Sequence, residues 1–231
     1  MGKRVAIIQS SYIPWKGYFD IVRSVDEFVL LDDAQFTRRD WRNRNLIKTS
    51  EGLRWLTIPV ETKGRFDAPI DTIRVAEPWA GKHWATLRHA YARAPHFGGL
   101  AKRIEALYHS LDKVQYLSVV NRCALEAVCS ILGIDTPIRW SREYPLKGTR
   151  TDRLLSICVA AGATEYVSGP SARAYMELDK FAAAAISVRF VDYSGYPSYD
   201  QLHGPFVHGV SILDLLFNMG ENALSAMRKL A

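Results

Sequence analysis

No apolar run in the 231 residues approaches the roughly 20 needed to cross a bilayer. The first residues also lack the basic, apolar and small-residue succession of a secretory signal. Cysteine is scarce: Cys123, Cys129 and Cys158 form no CxxC pair and sit in apolar, helix-like patterns. That spacing argues against a disulfide framework or a cysteine metal site, and predicts buried thiols in a reducing cytoplasm. There is no phosphate-binding P-loop, and no acidic metal motif beyond Asp32-Asp33, which counts against a metal-demanding reaction. Internal repeats and low-complexity linkers are absent as well, which excludes solenoids and tethered modules.

What is present is ordinary for a globular enzyme. Hydrophobic residues make up 48% of the chain and charged ones 23%, so a sizeable core can be buried. The expectation is one α/β domain over residues 1–231, with a hairpin and edge-strand insertion at 46–75 and a helical part at 79–133. The net charge of +6 suits an anionic ligand or polymer. Its arginines cluster at 38–44, which favours a local anion pocket over a long nucleic-acid track.

The organising stretch is residues 5–45. An apolar run, Val5 to Ile8, stops at Gln9; a turn, Ser10-Ser11-Tyr12-Ile13-Pro14, leads to an amphipathic stretch from Trp15 to Val25; a second apolar run, Phe28 to Leu31, stops at Asp32-Asp33. This reads as a β-α-β unit with two buried parallel strands. Parallel strands end on one sheet edge, so Gln9 and Asp33 are expected to approach each other where open α/β sheets bind ligands. Pro14 disfavours helix at Ile13, so the helix should begin near Trp15, with free N–H groups facing that edge. Gly17 permits close approach, and Tyr12, Trp15 and Tyr18 are candidate walls for a flat ring. Beyond the second strand come Gln35, Arg38, Trp41, Arg42, Asn43 and Arg44, a polar, cationic and aromatic segment suited to an anionic substrate.

Further on, NLIKT and RWLTIPV around Ser50-Glu51-Gly52 read as a hairpin, and Ile70 to Val75 as a further strand. Lys82 and His83 fall in the first turn of a helix from Trp79, where cations oppose the dipole unless an anion is near. Two helices follow to Gly133, then a strand near Ile134–Trp140 and a polar loop carrying Lys147, Gly148 and Arg150. A helix from Thr151 leads to a strand at Glu165–Ser168. The turn Ser168-Gly169-Pro170, with Arg173 just beyond, is a second candidate phosphate contact. Tyr193, Tyr196, Tyr199, His203 and Phe206 make an aromatic loop before helices at Ser211–Phe217 and 221–231.

QSSYIPWKGYFDIV, FVLLDDAQFTRRDWRNRN, the Trp79–Trp84 segment, EYVSGPSARAYM and VSILDLLFNMG resemble the WbqC-like protein family over nearly the whole chain. Members usually open Gln-Pro-x-Tyr-Leu-Pro-Trp; here Ser10 replaces the proline and Ile13 the leucine. The resemblance implies a bacterial protein tied to surface-polysaccharide or specialised-metabolite clusters. It further implies transfer of a small acyl or aminoacyl group, such as glycyl, to an amino sugar or nucleotide-linked substrate. A strand followed by Tyr-x-Pro-x-x-Gly-Tyr is also distantly similar to the triphosphate-cradling turn of nucleotidylyltransferases. Both of their histidines are missing here, so adenylyl transfer would have to rely on Lys16, Lys82, His83 or the arginines. On this reading Asp32 or Asp33 is the base, His83 the reserve acid/base, and the donor a nucleotide or an activated acyl or aminoacyl group. Two alternatives stand beside it: an ATP-dependent nucleotidylyltransferase-like enzyme, and a non-catalytic protein that binds nucleotide or tRNA.

Overall fold

The computed structural model describes residues 2–65 and 67–228. Its centre is a five-stranded parallel sheet, built from β1 (Arg4–Ile8), β2 (Glu27–Leu30), β5 (Ile138–Trp140), β6 (Glu165–Ser168) and β7 (Ser187–Phe190), in the order β5-β2-β1-β6-β7. An antiparallel hairpin, β3 (Arg44–Thr49) and β4 (Gly52–Thr57), stands apart from it, in register from Arg44 opposite Thr57 to Thr49 opposite Gly52. This is the α/β architecture with a small hairpin that the strand pattern predicts.

Strand periodicity divides the core. Along β1, Val5 and Ile7 face one apolar cluster, and Ala6 and Ile8 face the other; β2 splits the same way, Val29 against Phe28 and Leu30. Side chains of a strand alternate between faces, so a run apolar at every position is covered on both sides. One cover is α1 (Lys16–Arg23), α2 (Ala80–Tyr91), α3 (Phe97–Leu111), α4 (Leu117–Leu132) and α7 (Ile212–Met219); the other is α5 (Thr151–Ala160) with α6 (Leu178–Ala183). α4 stops at Gly133, whose φ of 67° is the left-handed conformation a helix C-terminus favours. α7 starts at Ser211, whose Oγ accepts the Leu213 N–H at 3.2 Å.

Two expected elements take other forms. Ile70 to Val75 is not a strand: Ile70–Thr72 is a 3-10 turn, followed by isolated bridges from Arg74 to Tyr116 and from Val75 to Val60. The reason lies in the partners of its backbone. Ile70 N–H donates to Ala34 O at 3.0 Å and Asp71 N–H to Asp32 O at 2.9 Å, so the loop after β2 takes the groups a strand ladder would need. The expected C-terminal helix at 221–231 is a 3-10 stretch, Gly220–Ala226, and its last three residues lie outside the described ones. Among the described residues no helix is long and apolar enough to cross a membrane.

Candidate functional site

β1 connects to β2 on one side, while β6 pairs with β1 on the other. The connections leaving β1 and β6 therefore diverge, and a crevice opens at their carboxyl ends, the usual ligand position in open parallel sheets. A cavity of about 880 Å³ lies there. Its floor includes Gln9 after β1, Leu31 and Ala34 after β2, and Ser168 and Gly169 after β6. Three cationic side chains line it: Arg42, Arg150 and Arg153. Its flat walls are Trp15, Trp41, Tyr175, Tyr193 and His208.

The turn after β1 is held in a costly shape. Ile13 has φ of 36°, and a β-branched residue in the left-handed region costs about 1–3 kcal/mol unless its surroundings impose it. The segment after β2 does so. Asn45 Nδ2 donates to the carbonyls of Tyr12 (3.0 Å) and Ile13 (2.9 Å), and Tyr12 N–H donates to Trp41 O at 3.0 Å. Arg42 Nη1 donates to Ser10 O at 2.9 Å. Asn121 of α4 donates to Ser10 Oγ and to Arg42 O, each at 2.9 Å. One clamp thus shapes the turn and aims Arg42 at the cavity.

Asp32 and Asp33 part company. Asp32 is 1% exposed; it accepts the Ser10 N–H at 2.8 Å and the Ser118 hydroxyl, and it does not line the cavity. Burial pushes its pKa up, opposed by those hydrogen bonds. Asp33 faces the other way, accepting Ser141 Oγ and pairing with Arg153 Nη1 at 2.5 Å. That ion pair holds Arg153, which lines the cavity. Gln9 sits on the same edge, its Nε2 3.4 Å from Gln35 O. The Nε atoms of Arg42 and Arg153 are buried with no hydrogen-bond acceptor among the described residues. Arg42 Nε has only the carboxylate of Asp40, at 3.7 Å. Two guanidinium groups on one cavity wall suit an anion.

Of the candidate substrate contacts and proton carriers named in the sequence, Gln9, Trp15, Tyr18, Trp41, Arg42, Ser168 and Gly169 line the cavity. The others do not, each for a visible reason. Tyr12 is fully buried, its hydroxyl 2.9 Å from His83 Nδ1 and 2.8 Å from Tyr108 Oη. His83 Nε2 meets Thr57 O at 3.2 Å; a carbonyl only accepts, so Nε2 carries the proton and Nδ1 accepts from Tyr12. Burial lowers the His83 pKa to about 4, which removes it as an acid/base near neutrality. Lys82 is exposed on the far side of that turn. Lys16 is buried, donating to Pro197 O at 2.9 Å among the rings of Tyr196, Tyr199 and Phe206; burial lowers its pKa to about 8. Asn43 Nδ2 binds Ile58 O at 2.8 Å. Arg38 reaches Thr62 O, Arg44 lies 4.0 Å over the Trp55 ring, Arg173 lies 4.9 Å over Phe190, and Gln35 Nε2 is 3.2 Å from Asp67.

Gly17 acts indirectly. A Cβ there would overlap the Trp15 ring, which sits edge-on to Tyr193 at 5.1 Å on the cavity wall. Gly17→Ala is expected to lower the thermal midpoint, since overpacking costs ~1–3 kcal/mol against a helix gain of about 1 kcal/mol. Differential scanning fluorimetry checks this; a raised midpoint would show that the ring yields freely.

His83 carries a pH signature. Its folded pKa is depressed, so its contribution is fully present above the ordinary value near 6.5 and is lost as pH falls toward about 4. The loss totals roughly 3 kcal/mol at one pKa unit per 1.36 kcal/mol. The imidazole is expected to stay neutral at pH 5 in an NMR titration, and a midpoint near 6.5 would contradict its buried placement.

Sequence reading placed Arg150 only in a polar loop, and overlooked Thr149 and Arg153 beside it, and Tyr175 and His208. A signal was there: a polar, glycine-containing loop between a strand and a helix is where parallel sheets place ligand contacts. Nothing local marks His208.

Fold and cavity together define a parallel α/β protein with a cationic, aromatic-walled cavity at the point where the strand order reverses. The sequence profile of the WbqC-like protein family matches residues 9–226, and the chain belongs to that family. It is 49% identical over 227 residues to the uncharacterized protein Rv1507c of Mycobacterium tuberculosis (strain ATCC 25618 / H37Rv), covering 98% of each chain. No solved structure matches.

Proposed function

We propose that the chain is a transferase that holds a nucleotide-linked, anionic substrate at the sheet edge and moves a small acyl or aminoacyl group onto an amine, as on an amino sugar. The observation that carries this reading is the cavity itself: Arg42, Arg150 and Arg153 beside aromatic walls, in a space of about 880 Å³. That volume is within the range of small-molecule sites. Guanidinium pairs match phosphate oxygens, and indole and phenol faces match a base or sugar ring.

The transfer itself needs one proton acceptor. The amine nitrogen attacks the donor carbonyl, the bond to the leaving group breaks, and the amine's surplus proton passes to a base. His208, the one imidazole on the cavity wall among the described residues, is the group placed for this. Its ring is set 4.5 Å from Phe206, edge to face, and partial burial and then the charge of Lys16 lower its pKa. On this reading its imidazole is the proton acceptor.

Calorimetry with UDP as probe tests the binding half, and mass spectrometry of an amine-bearing nucleotide sugar incubated with protein and activated acyl donors tests the transfer. Saturable binding and a mass gain of one acyl group on the sugar are expected. No binding of any nucleoside diphosphate would overturn the reading; release of pyrophosphate from a nucleoside triphosphate would replace it with nucleotidylyl transfer.

A further inference from the structure

Outside the cavity, the hairpin presents a surface that neither the fold nor the proposed transfer explains. Trp41, Leu53 and Trp55 are 42%, 50% and 40% exposed. The rings of Trp41 and Trp55 lie 5.3 Å apart at 43°, and the Arg44 guanidinium covers one face of Trp55 at 4.0 Å. Neighbouring exposed indoles and a leucine form the kind of apolar surface patch that marks an interaction site. Charge says what kind. Between residues 38 and 54 stand Arg38, Arg39, Arg42, Arg44, Lys48 and Arg54 against Asp40 and Glu51. Six cations less two anions leave four of the chain's net +6 in this one segment. Arg39 is exposed and makes no ion pair or side-chain hydrogen bond among the described residues, and Arg44 shares the Trp55 face of the hairpin; Arg54, opposite Ile47, points to the other face, and Lys48 is buried against Gln201 and Pro205. Trp41 and Arg42 belong to this face and to the cavity wall at once.

We propose that the arginine-tryptophan face of the β3–β4 hairpin binds single-stranded nucleic acid, and that the terminal nucleotide of the strand passes Trp41 into the cavity. Every base has a π-face, so stacking on exposed indoles tolerates any sequence, while guanidinium groups follow the phosphates. The second half of this statement rests on the proposed nucleotide site; the first does not. The cavity suits one nucleotide-sized group, and the hairpin extends the same chemistry outward.

The test is fluorescence polarisation with labelled single-stranded RNA and DNA of about 12 nucleotides, within the span such surfaces cover. The matching duplex and phosphatidylserine vesicles serve as competitors. Single strands are expected to bind, to quench tryptophan emission, and to weaken steeply when salt is raised about fourfold, because counterions are released on binding. The Arg39→Glu/Arg44→Glu double variant is expected to weaken binding by at least about tenfold, and Trp55→Ala by about five- to a hundredfold, the scale of one lost stack. Should charge reversal unfold the hairpin, Arg39→Gln/Arg44→Gln removes the charge and keeps a polar side chain. UDP affinity in the double variant is expected to be unchanged, which separates this surface from the cavity. Failure of single strands to bind at low salt, binding indifferent to these variants, or preference for duplex or vesicles would overturn the proposal. Absence of UDP binding to the wild-type protein, with single strands still bound at the hairpin, would overturn only the passage of the terminus into the cavity.

Discussion

Asp32→Ala is expected to cost about 3 kcal/mol of stability, the sum of two buried donors left without an acceptor at ~1–3 kcal/mol each. The donors are the Ser10 N–H and the Ser118 hydroxyl, and both belong to the junction that shapes the turn after β1. Asp32→Asn keeps the shape and can still accept from Ser10 while donating to Ser118 Oγ, so its cost is expected to stay within about 1 kcal/mol. The two variants separate a structural carboxylate from a reactive one. A base in the reaction would lose turnover in Asn with stability intact; a junction residue loses stability in Ala and little in Asn. The pH dependence has a definite sign. The folded pKa of Asp32 is raised, so its contribution is full below the ordinary carboxylate value and is lost as pH rises through the raised one. Urea midpoints of the three proteins across the acid range would show wild type converging on Asp32→Asn at low pH. An alanine variant as stable as wild type would sink the junction reading.

Arg153→Ala is expected to weaken UDP binding by roughly 10- to 150-fold, the equivalent of one charge-assisted hydrogen bond at about 1.5–3 kcal/mol. Arg153 lines the cavity, its Nη1 is held by Asp33 at 2.5 Å, and its Nε is buried without an acceptor among the described residues. The anchor has its own consequence. Asp33→Asn leaves the guanidinium in place but loosely aimed, so a smaller loss, about fivefold, is expected from the ordering that must now accompany binding. Arg173→Ala is the contrast. Its guanidinium covers Phe190 away from the cavity lining, and UDP affinity should not change. Calorimetry on the three variants distinguishes an anion site built by Arg153 from one built by the Ser168-Gly169 turn; equal losses in Arg153→Ala and Arg173→Ala would favour the turn.

Much of this molecule was legible along the chain. The runs at Val5–Ile8 and Phe28–Leu31 are apolar at every position, which only strands covered on both faces require, and that alone predicts a parallel pair with Gln9 on a shared edge. Pro14 placed the start of α1, Gly133 the end of α4, and Ser50-Glu51-Gly52 the turn of the hairpin, because each acts through its own backbone geometry. Trp41 and Arg42 stood out as a cationic, aromatic pair for the same local reason.

Tertiary contacts decided the rest. Neighbouring carboxylates look alike in sequence, yet the chain's path after β2 turns Asp32 into the junction and Asp33 toward Arg153. The helix pattern around His83 could not show that Tyr12, far away in the chain, would cap it in the dry interior. Arg150, Arg153 and His208 reach the cavity from more than 100 residues beyond Arg42. They meet it only because a parallel sheet gathers the carboxyl ends of distant strands at one edge. That is a property of chain direction in space, to which local spacing is blind.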